Sequence, residues 1–301
     1  MKLQFKEIFK SFGEKKVLKG ISFTAESGMA FGILGRNGAG KTTSIRILMN
    51  VFAADSGEVL LDGKKLDYSN LKIGYLPEER GLYPKKKIAE QLWYFAELKG
   101  MNHSDAVKAV DYWLERLGMT EYRDKKLEVL SKGNQQKIQL ITAIVHDPQI
   151  IVLDEPFSGL DPVNAMLLED TVKEEISKGK IVLFSSHQMN YIEEFCEQIA
   201  ILNDGQIAIS GNIRDIKRSY KRDKLVLRSD DKEKIIKDLG NICSLYENDS
   251  LMITLPEPEQ KKEMMSKLVS EYDIDEIRVF EPTLNDIFVE YTGGEKEEDK
   301  K

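Results

Sequence analysis

Residues 31–46 read FGILGRNGAGKTTSIR, and the rest of the chain is organised around them. A short apolar run (Phe31, Ile33, Leu34) enters a glycine-rich loop, and the loop enters a helical pattern carried by Ile45, Ile47 and Leu48. From Gly35 to Thr42 the residues match G-x-x-x-x-G-K-[ST], the phosphate-binding loop. Glycines let backbone N–H groups turn inward and approach a phosphate with no Cβ in the way. The start of the following helix adds orphan N–H donors and a partial positive charge. Gly35, Arg36, Asn37, Gly38, Ala39, Gly40, Lys41, Thr42 and Thr43 are therefore the candidate nucleotide-binding residues. Lys41 is placed to reach the β- and γ-phosphates, and Thr42 to set its hydroxyl on Mg2+.

A second stretch converges on the same chemistry. Ile150, Ile151, Val152 and Leu153 form a continuous apolar run, and Ile181 to Phe184 form another, with a helix over about 163–178 between them. Runs of this kind read as parallel strands buried on both faces, joined by a helical crossover. The first ends in Asp154, Glu155 and Pro156. The C-terminal end of a parallel strand is where ligands sit. Asp154 there can hold Mg2+ through its water shell, and Glu155 can take a proton from an attacking water. Upstream, Ser131 caps a helix carrying Ile138 and Ile141, and Gly133 is expected to leave its backbone bare. That makes a second phosphate-binding helix N-terminus in one chain.

The ordered set resembles the ABC-type ATPases. Residues 130–136 (LSKGNQQ) resemble their signature segment, and Asp154-Glu155-Pro156 their Walker B box. Residues 158–161, with Ser158 and Asp161, resemble the D-loop, and His187 after Ser185 and Ser186 the switch histidine. Residues 75–78, ending in Glu78, resemble the Q-loop, and Phe12 lies where the family keeps an aromatic to stack on adenine. Glu78 replaces the family's usual Gln, and Lys132 and Asn134 replace the commoner Gly and Gln of the signature. Lys132 either adds a cation near the γ-phosphate or, the reading favoured here, points into solvent.

The resemblance covers about 1–212 and implies an α/β fold, a P-loop NTPase of ABC type whose mixed sheet carries an inserted helical subdomain. It implies ATP and Mg2+ as cofactors, with Glu155 and His187 catalytic and Thr42, Glu78 and Asp154 at the metal. It also implies a dimer with a second copy or a related cassette. The phosphate loop of one subunit and Ser131 and Gly133 of the other would sandwich each ATP, with Ser158 and Asp161 at the interface. The likeness is closest to exporter cassettes, including the sodium-efflux kind, that pair with integral membrane permease subunits. The ending at 281–288 (EPTLNDIF) also looks like that subgroup's C-terminal domain.

Around this centre, residues 3–30 read as β-structure turning at Gly13 to Lys15, with further strands at 57–63 and 73–77. Three apolar stripes at helical spacing follow: Ile88, Leu92, Phe95 and Leu98; Val107, Val110, Leu114 and Leu117; Ile138, Ile141, Ala143, Ile144 and Val145. They are read as core faces of a helical subdomain over about 84–148. Residues 199–208 read as a hairpin with an Asp-Gly turn. Past Gly211 a linker helix spans 213–224. A small α+β domain of β-α-β-β-α-β order, ferredoxin-like, spans 225–292, and 293–301 reads as a disordered tail.

The chain has 301 residues, 32% charged and 41% hydrophobic, with a net charge of −7. An acidic balance argues against a dedicated nucleic-acid binder, so no nucleic-acid partner is expected. An ABC-type ATPase acting on the ribosome or nucleic acid is disfavoured by the single phosphate loop and the absence of a long heptad run. A module that regulates a membrane protein without moving a solute stays open beside transport. The two cysteines, Cys196 and Cys243, fit no metal spacing and suit a reducing compartment. No apolar stretch reaches bilayer length. The expected place is therefore the cytoplasmic face of a membrane, reached through a membrane subunit. The cargo is not written in this chain.

Overall fold

Alternation builds the first ladder. Leu3, Phe5 and Ile8 point inward along β1 (Lys2–Phe12), and Ile21, Phe23 and Ala25 along β2 (Lys15–Glu26). The two pair antiparallel through a turn in which Gly13 has φ +59°. A bulge at Glu7 (φ +49°) shifts the register between Phe5 and Ile8. β3 (Ala30–Gly35), buried at every position, leads into the phosphate loop and α1 (Lys41–Leu48). β4 (Ser56–Leu61) and β5 (Lys64–Lys65) complete a four-stranded antiparallel sheet in the order β2-β1-β4-β5.

β6 (Ile73–Leu76) opens the second half of this unit. The helical insertion follows as α2 (Ile88–Leu98), α3 (His103–Arg116) and α4 (Lys132–Ile144). Next come β7 (Ile150–Asp154), α5 (Pro162–Ser177), β8 (Ile181–Ser185) and α6 (Met189–Phe195). The hairpin of β9 (Gln198–Asn203) and β10 (Gln206–Asn212) turns at Asp204 and Gly205, whose φ values are +45° and +76°. Both central residues at positive φ suit the right-handed twist of a two-residue hairpin. The six-stranded sheet runs β10-β9-β3-β8-β7-β6, with β9, β3, β8, β7 and β6 mutually parallel. One core joins the inward residues of the antiparallel sheet, the buried side of α1 (Ile45, Ile47, Leu48) and one face of the parallel sheet.

The computed structural model describes residues 1–79, 81–158, 160–186, 189–246 and 249–293. His187 and the tail at 294–301 lie outside them. Contacts divide the chain into Met1–Ile213 with the stretch from Phe288 on, and a second unit, Arg214–Ile287. Entered by α7 (Ile213–Ser219), the second unit has β11 (Lys224–Arg228), α8 (Lys232–Leu239) and β12 (Cys243–Tyr246). It continues with β13 (Ser250–Thr254), α9 (Lys261–Glu271) and β14 (Glu276–Val279). Its antiparallel sheet, ordered β12-β13-β11-β14, is closed around Leu225, Leu227, Ile235, Leu251, Ile253 and Leu268.

The last helix, α10 (Leu284–Thr292), starts with a reciprocal cap. The Thr283 backbone N–H donates to Asp286 Oδ2 at 2.8 Å, and the Asp286 N–H donates to Thr283 Oγ1 at 3.1 Å.

Three sequence expectations change. Leu98 is 62% exposed rather than core, because α2 ends there and the chain turns at Gly100 (φ +89°). The small unit's contacts stop at Ile287 rather than 292, since α10 from Phe288 on packs with the first unit. α6, for which the sequence reading had no helix, packs Phe195 on Phe157 at 4.9 Å. Among the described residues no helix is long and apolar enough to cross a membrane.

Candidate functional site

Parallel pairing places the ends of β3, β6, β7 and β8 along one edge of the sheet. Asp154 pairs with Ser185 across β7 and β8, Leu76 with Leu153 across β6 and β7, and Ile33 with Ser185 across β3 and β8. The segments that follow these strands carry the motifs, so they meet. A cleft of about 680 Å³ is lined by Phe12, Gly35 to Gly38, Gly40 to Thr43, Glu78, Asp154 and Glu155. It also takes in Lys15, Val17, Met189 and Phe288, which the sequence reading did not single out.

The loop's backbone demands its glycines at two places. Gly38 has φ +84° and Gly40 φ +113°, a region that L side chains avoid. A Cβ on Gly40 would also stand 2.5 Å from Leu18 Cδ2. Gly40 caps α1 with no side-chain hydrogen bond, so no side chain competes for the helix's first N–H groups. Ala39 does not line the cleft; it is buried, and its carbonyl accepts from the Gly205 N–H at 3.2 Å. Lys41 Nζ folds back to donate to the carbonyls of Gly35 (2.5 Å) and Arg36 (3.4 Å). Burial lowers the Lys41 pKa, against the pull of Glu155, Asp154 and Glu78.

Asp154 is 5% exposed, and burial raises its pKa, with the Glu78 and Glu155 carboxylates adding to the rise. The Tyr75 hydroxyl donates to Asp154 Oδ2 at 3.5 Å, and burial followed by that carboxylate pushes the phenol up to about 12. Glu155 has φ +50°, a strained value for a non-glycine residue at the end of a strand. Its N–H donates to the Ser185 carbonyl at 2.8 Å, and Ser186 Oγ donates to Glu155 Oε2 at 2.8 Å.

α4 ties two walls of the cleft together. Gln139 Nε2 donates to the carbonyls of Pro77 (3.1 Å) and Glu79 (3.2 Å), and Gln136 Nε2 donates to the Pro156 carbonyl at 3.1 Å. The helix lies so close to β6 that a Cβ on Gly74 would fall 1.9 Å from the Ala143 carbonyl oxygen.

The residues fit a nucleotide-borne divalent cation. Thr42, Glu78 and Asp154 present oxygens to one cleft, where burial and the neighbouring Glu78 and Glu155 carboxylates make the Asp154 carboxylate costly to ionise. Among the described residues no trio of His, Cys, Asp and Glu is arranged to cage an ion. Mg2+ is bound in the complementary way, through one or two protein oxygens together with waters and phosphates.

Ser131, Gly133, Ser158 and Asp161 do not join this cleft. Ser131 Oγ accepts from the Asn134 N–H at 3.3 Å and so caps α4. Gly133, expected to be bare, is buried, and a Cβ there would stand 3.0 Å from Asn164 Nδ2. Asp161 caps α5 through the Asn164 N–H at 3.0 Å and also accepts from Asn164 Nδ2 at 2.5 Å. Ser158 and Lys132 are exposed.

Known proteins resemble this chain over most of its length. Residues 18–158 match the family model described as ABC transporter. Residues 211–292 match the one described as ATP-binding protein DrrA1-3-like, C-terminal domain. The ABC transporter ATP-binding protein YhaQ of Bacillus subtilis is 42% identical over 294 residues, covering 97% of this chain and 98% of that protein. The chain belongs to the ABC transporter ATP-binding family. This cassette is an ATPase subunit that binds ATP, and its fold is that of the P-loop ABC cassettes. Nod factor export ATP-binding protein I of Burkholderia lata is 32% identical over 213 residues, 69% of this chain and 70% of that one. A solved dimeric structure of a bacterial ABC transporter cassette superposes with a TM-score of 0.63 at 25% identity, covering 70% of this chain and 99% of that chain.

Of the residues the motifs missed, Lys15 and Val17 were legible in principle. They sit at alternate positions just after the turn that follows Phe12, and so share one face of β2. Met189 follows the switch segment by two residues. Phe288 ends the 281–288 stretch, which reads as part of the C-terminal domain and gives no sign that it reaches this cleft.

Proposed function

We propose that this cassette powers a membrane exporter and does so as a pair, each ATP held between the phosphate loop of one copy and Ser131 and Gly133 of the other. The observation that carries the reading is the separation of two helix N-termini. α1 opens into the cleft with Lys41, Asp154 and Glu155, while the start of α4 does not line it. One copy therefore has only one of the two grips on a nucleotide. A relative named for Nod factor export and a solved dimeric cassette support the pairing and the direction. The permease would be an integral membrane protein, with this chain at its cytoplasmic side.

Within the cleft each residue has a task. Phe12, half exposed, offers its ring to the adenine. Lys41 exchanges the Gly35 and Arg36 carbonyls for the β- and γ-phosphate oxygens. The backbone of Gly38 to Thr43 supplies N–H donors. Thr42, Asp154 and Glu78 would hold Mg2+, which when bound neutralises charge on the phosphate oxygens. Glu155 accepts the proton of the attacking water, its carboxylate aimed by the turn at φ +50° and by Ser186. His187, from its place in the sequence, would hold the γ-phosphate and position that water.

Glu155→Gln is the test. It should slow turnover by about 10²–10⁴ while ATP still binds. The variant with Mg2+ and ATP should elute as a dimer in size-exclusion chromatography with light scattering. A monomer at saturating ATP would overturn the paired reading, and wild-type turnover would remove Glu155 from its role. The same variant, extracted gently from its host's membranes with ATP present, should retain a polytopic membrane protein in stoichiometric amount.

A further inference from the structure

The mechanism above makes no use of Phe288, yet this residue lines the nucleotide cleft. Its placement is held by a short chain of bonds. Thr292 Oγ1, on a buried residue, donates to the Phe288 carbonyl at 2.7 Å. Asn203 Nδ2 donates to the Tyr291 carbonyl at 3.0 Å, which pins the last turn of α10 to the end of β9. Two residues on, the Gly205 N–H donates to the Ala39 carbonyl (3.2 Å) and its carbonyl accepts from the Lys19 N–H (2.8 Å). Gly205 also abuts Val17, whose carbonyl oxygen lies 2.4 Å from where a Cβ would stand. The strand end that anchors α10 is thus bonded both to the phosphate loop and to β2, the strand that brings Lys15 and Val17 to the cleft.

We propose that Phe288 contacts the base and ribose of the bound adenine nucleotide, as a second aromatic surface in addition to Phe12. The proposal rests on the ATP-binding reading of this cleft. The phosphate end is already furnished by Lys41, the loop backbone and the acids. An uncharged flat ring adds nothing to a phosphate, but it offers a purine a face to stack on. α10 therefore contributes directly to nucleotide affinity, from a segment some 250 residues beyond the phosphate loop (roughly 288 minus 38).

The experiment is calorimetric titration of the full chain with two probes, ATP and inorganic tripolyphosphate. Phe288→Ala should weaken ATP binding by about three- to tenfold and leave tripolyphosphate affinity unchanged. Phe288→Tyr should restore ATP affinity. Unchanged or tighter ATP binding in Phe288→Ala overturns the proposal, and so does an equal loss for tripolyphosphate, which would make the ring a prop for the loop. If Phe288→Ala does not fold, Phe288→Leu replaces it, keeping apolar bulk without a flat face, and the same outcomes apply. Lys41→Ala separates the two readings. It should weaken both probes whatever happens at Phe288, and if it weakens neither, the cleft itself is misassigned and the Phe288 contact falls with it.

Discussion

The starts of α1 and α4 are built from similar parts and finished in opposite ways. α1 begins at Gly40, at φ +113°, with no side-chain cap, and its first residues line the cleft. α4 begins at Ser131, whose hydroxyl already takes the Asn134 N–H, and its glycine is covered by Asn164, which is itself held by Asp161. One N-terminus is left open for an anion. The other is closed by side chains of its own chain. A helix start covered in this way can serve a phosphate only when something shifts that cover, and in the proposed pairing a second cassette arriving with its nucleotide would do so. On that reading the single chain is a half-assembled site with one open grip and one guarded one.

The comparison can be broken most sharply at the open end. Gly40→Ala should cost about 1–3 kcal/mol of stability and remove ATP binding, read by denaturant midpoint and by calorimetry. Native-like binding in that variant would mean the loop tolerates a Cβ against Leu18. Ser131→Ala comes next. Loss of the α4 cap should cost about 1 kcal/mol, with ATP binding by the monomer unchanged.

Asp154→Asn should move stability the other way, raising nucleotide-free stability by about 0.5–2 kcal/mol. The sign follows from linkage. The folded pKa of Asp154 lies above its unfolded value, so the folded state holds the extra proton between them. Nucleotide-free stability from this group is then greatest at acid pH and is lost as pH rises through the raised pKa. Asp154→Asn should flatten that part of the pH profile. Gly133→Ala should have the smallest effect on the fold. The atom it meets is the end of a flexible Asn164 side chain, so a change under about 0.5 kcal/mol is expected, with the loss appearing only in ATP-driven dimerisation. A large loss of monomer stability would show that the Asn164 cover is rigid.

Much of this was legible because the chemistry is local. The phosphate loop needs its glycines, Lys41 and Thr42 in sequence, and a buried parallel strand announces itself as an apolar run ending at Asp154. The small domain's strand and helix order could be read from alternation and spacing for the same reason. What could not be read is what depends on neighbours far along the chain. Nothing near Gly133 says that Asn164 will sit over it. Leu98 fits its apolar stripe and is exposed only because α2 stops there. α6 is seven residues long, too short for its period to stand out. Phe288 belongs to an amphipathic helix like many others, and only the docking of α10 against β9 brings it to the nucleotide cleft.

The position of β3 bears on how the protein is made. This strand, which feeds the phosphate loop, is hydrogen-bonded on one side to β8 and on the other to β9. Both neighbours leave the ribosome long after it, and at about 5–20 residues per second the nascent strand waits roughly ten to thirty seconds for them. During that interval a fully apolar segment and an unformed loop are exposed, a window in which chaperone holding is favoured and premature pairing is a hazard. The antiparallel ladder of β1 and β2, by contrast, closes at once through a local turn.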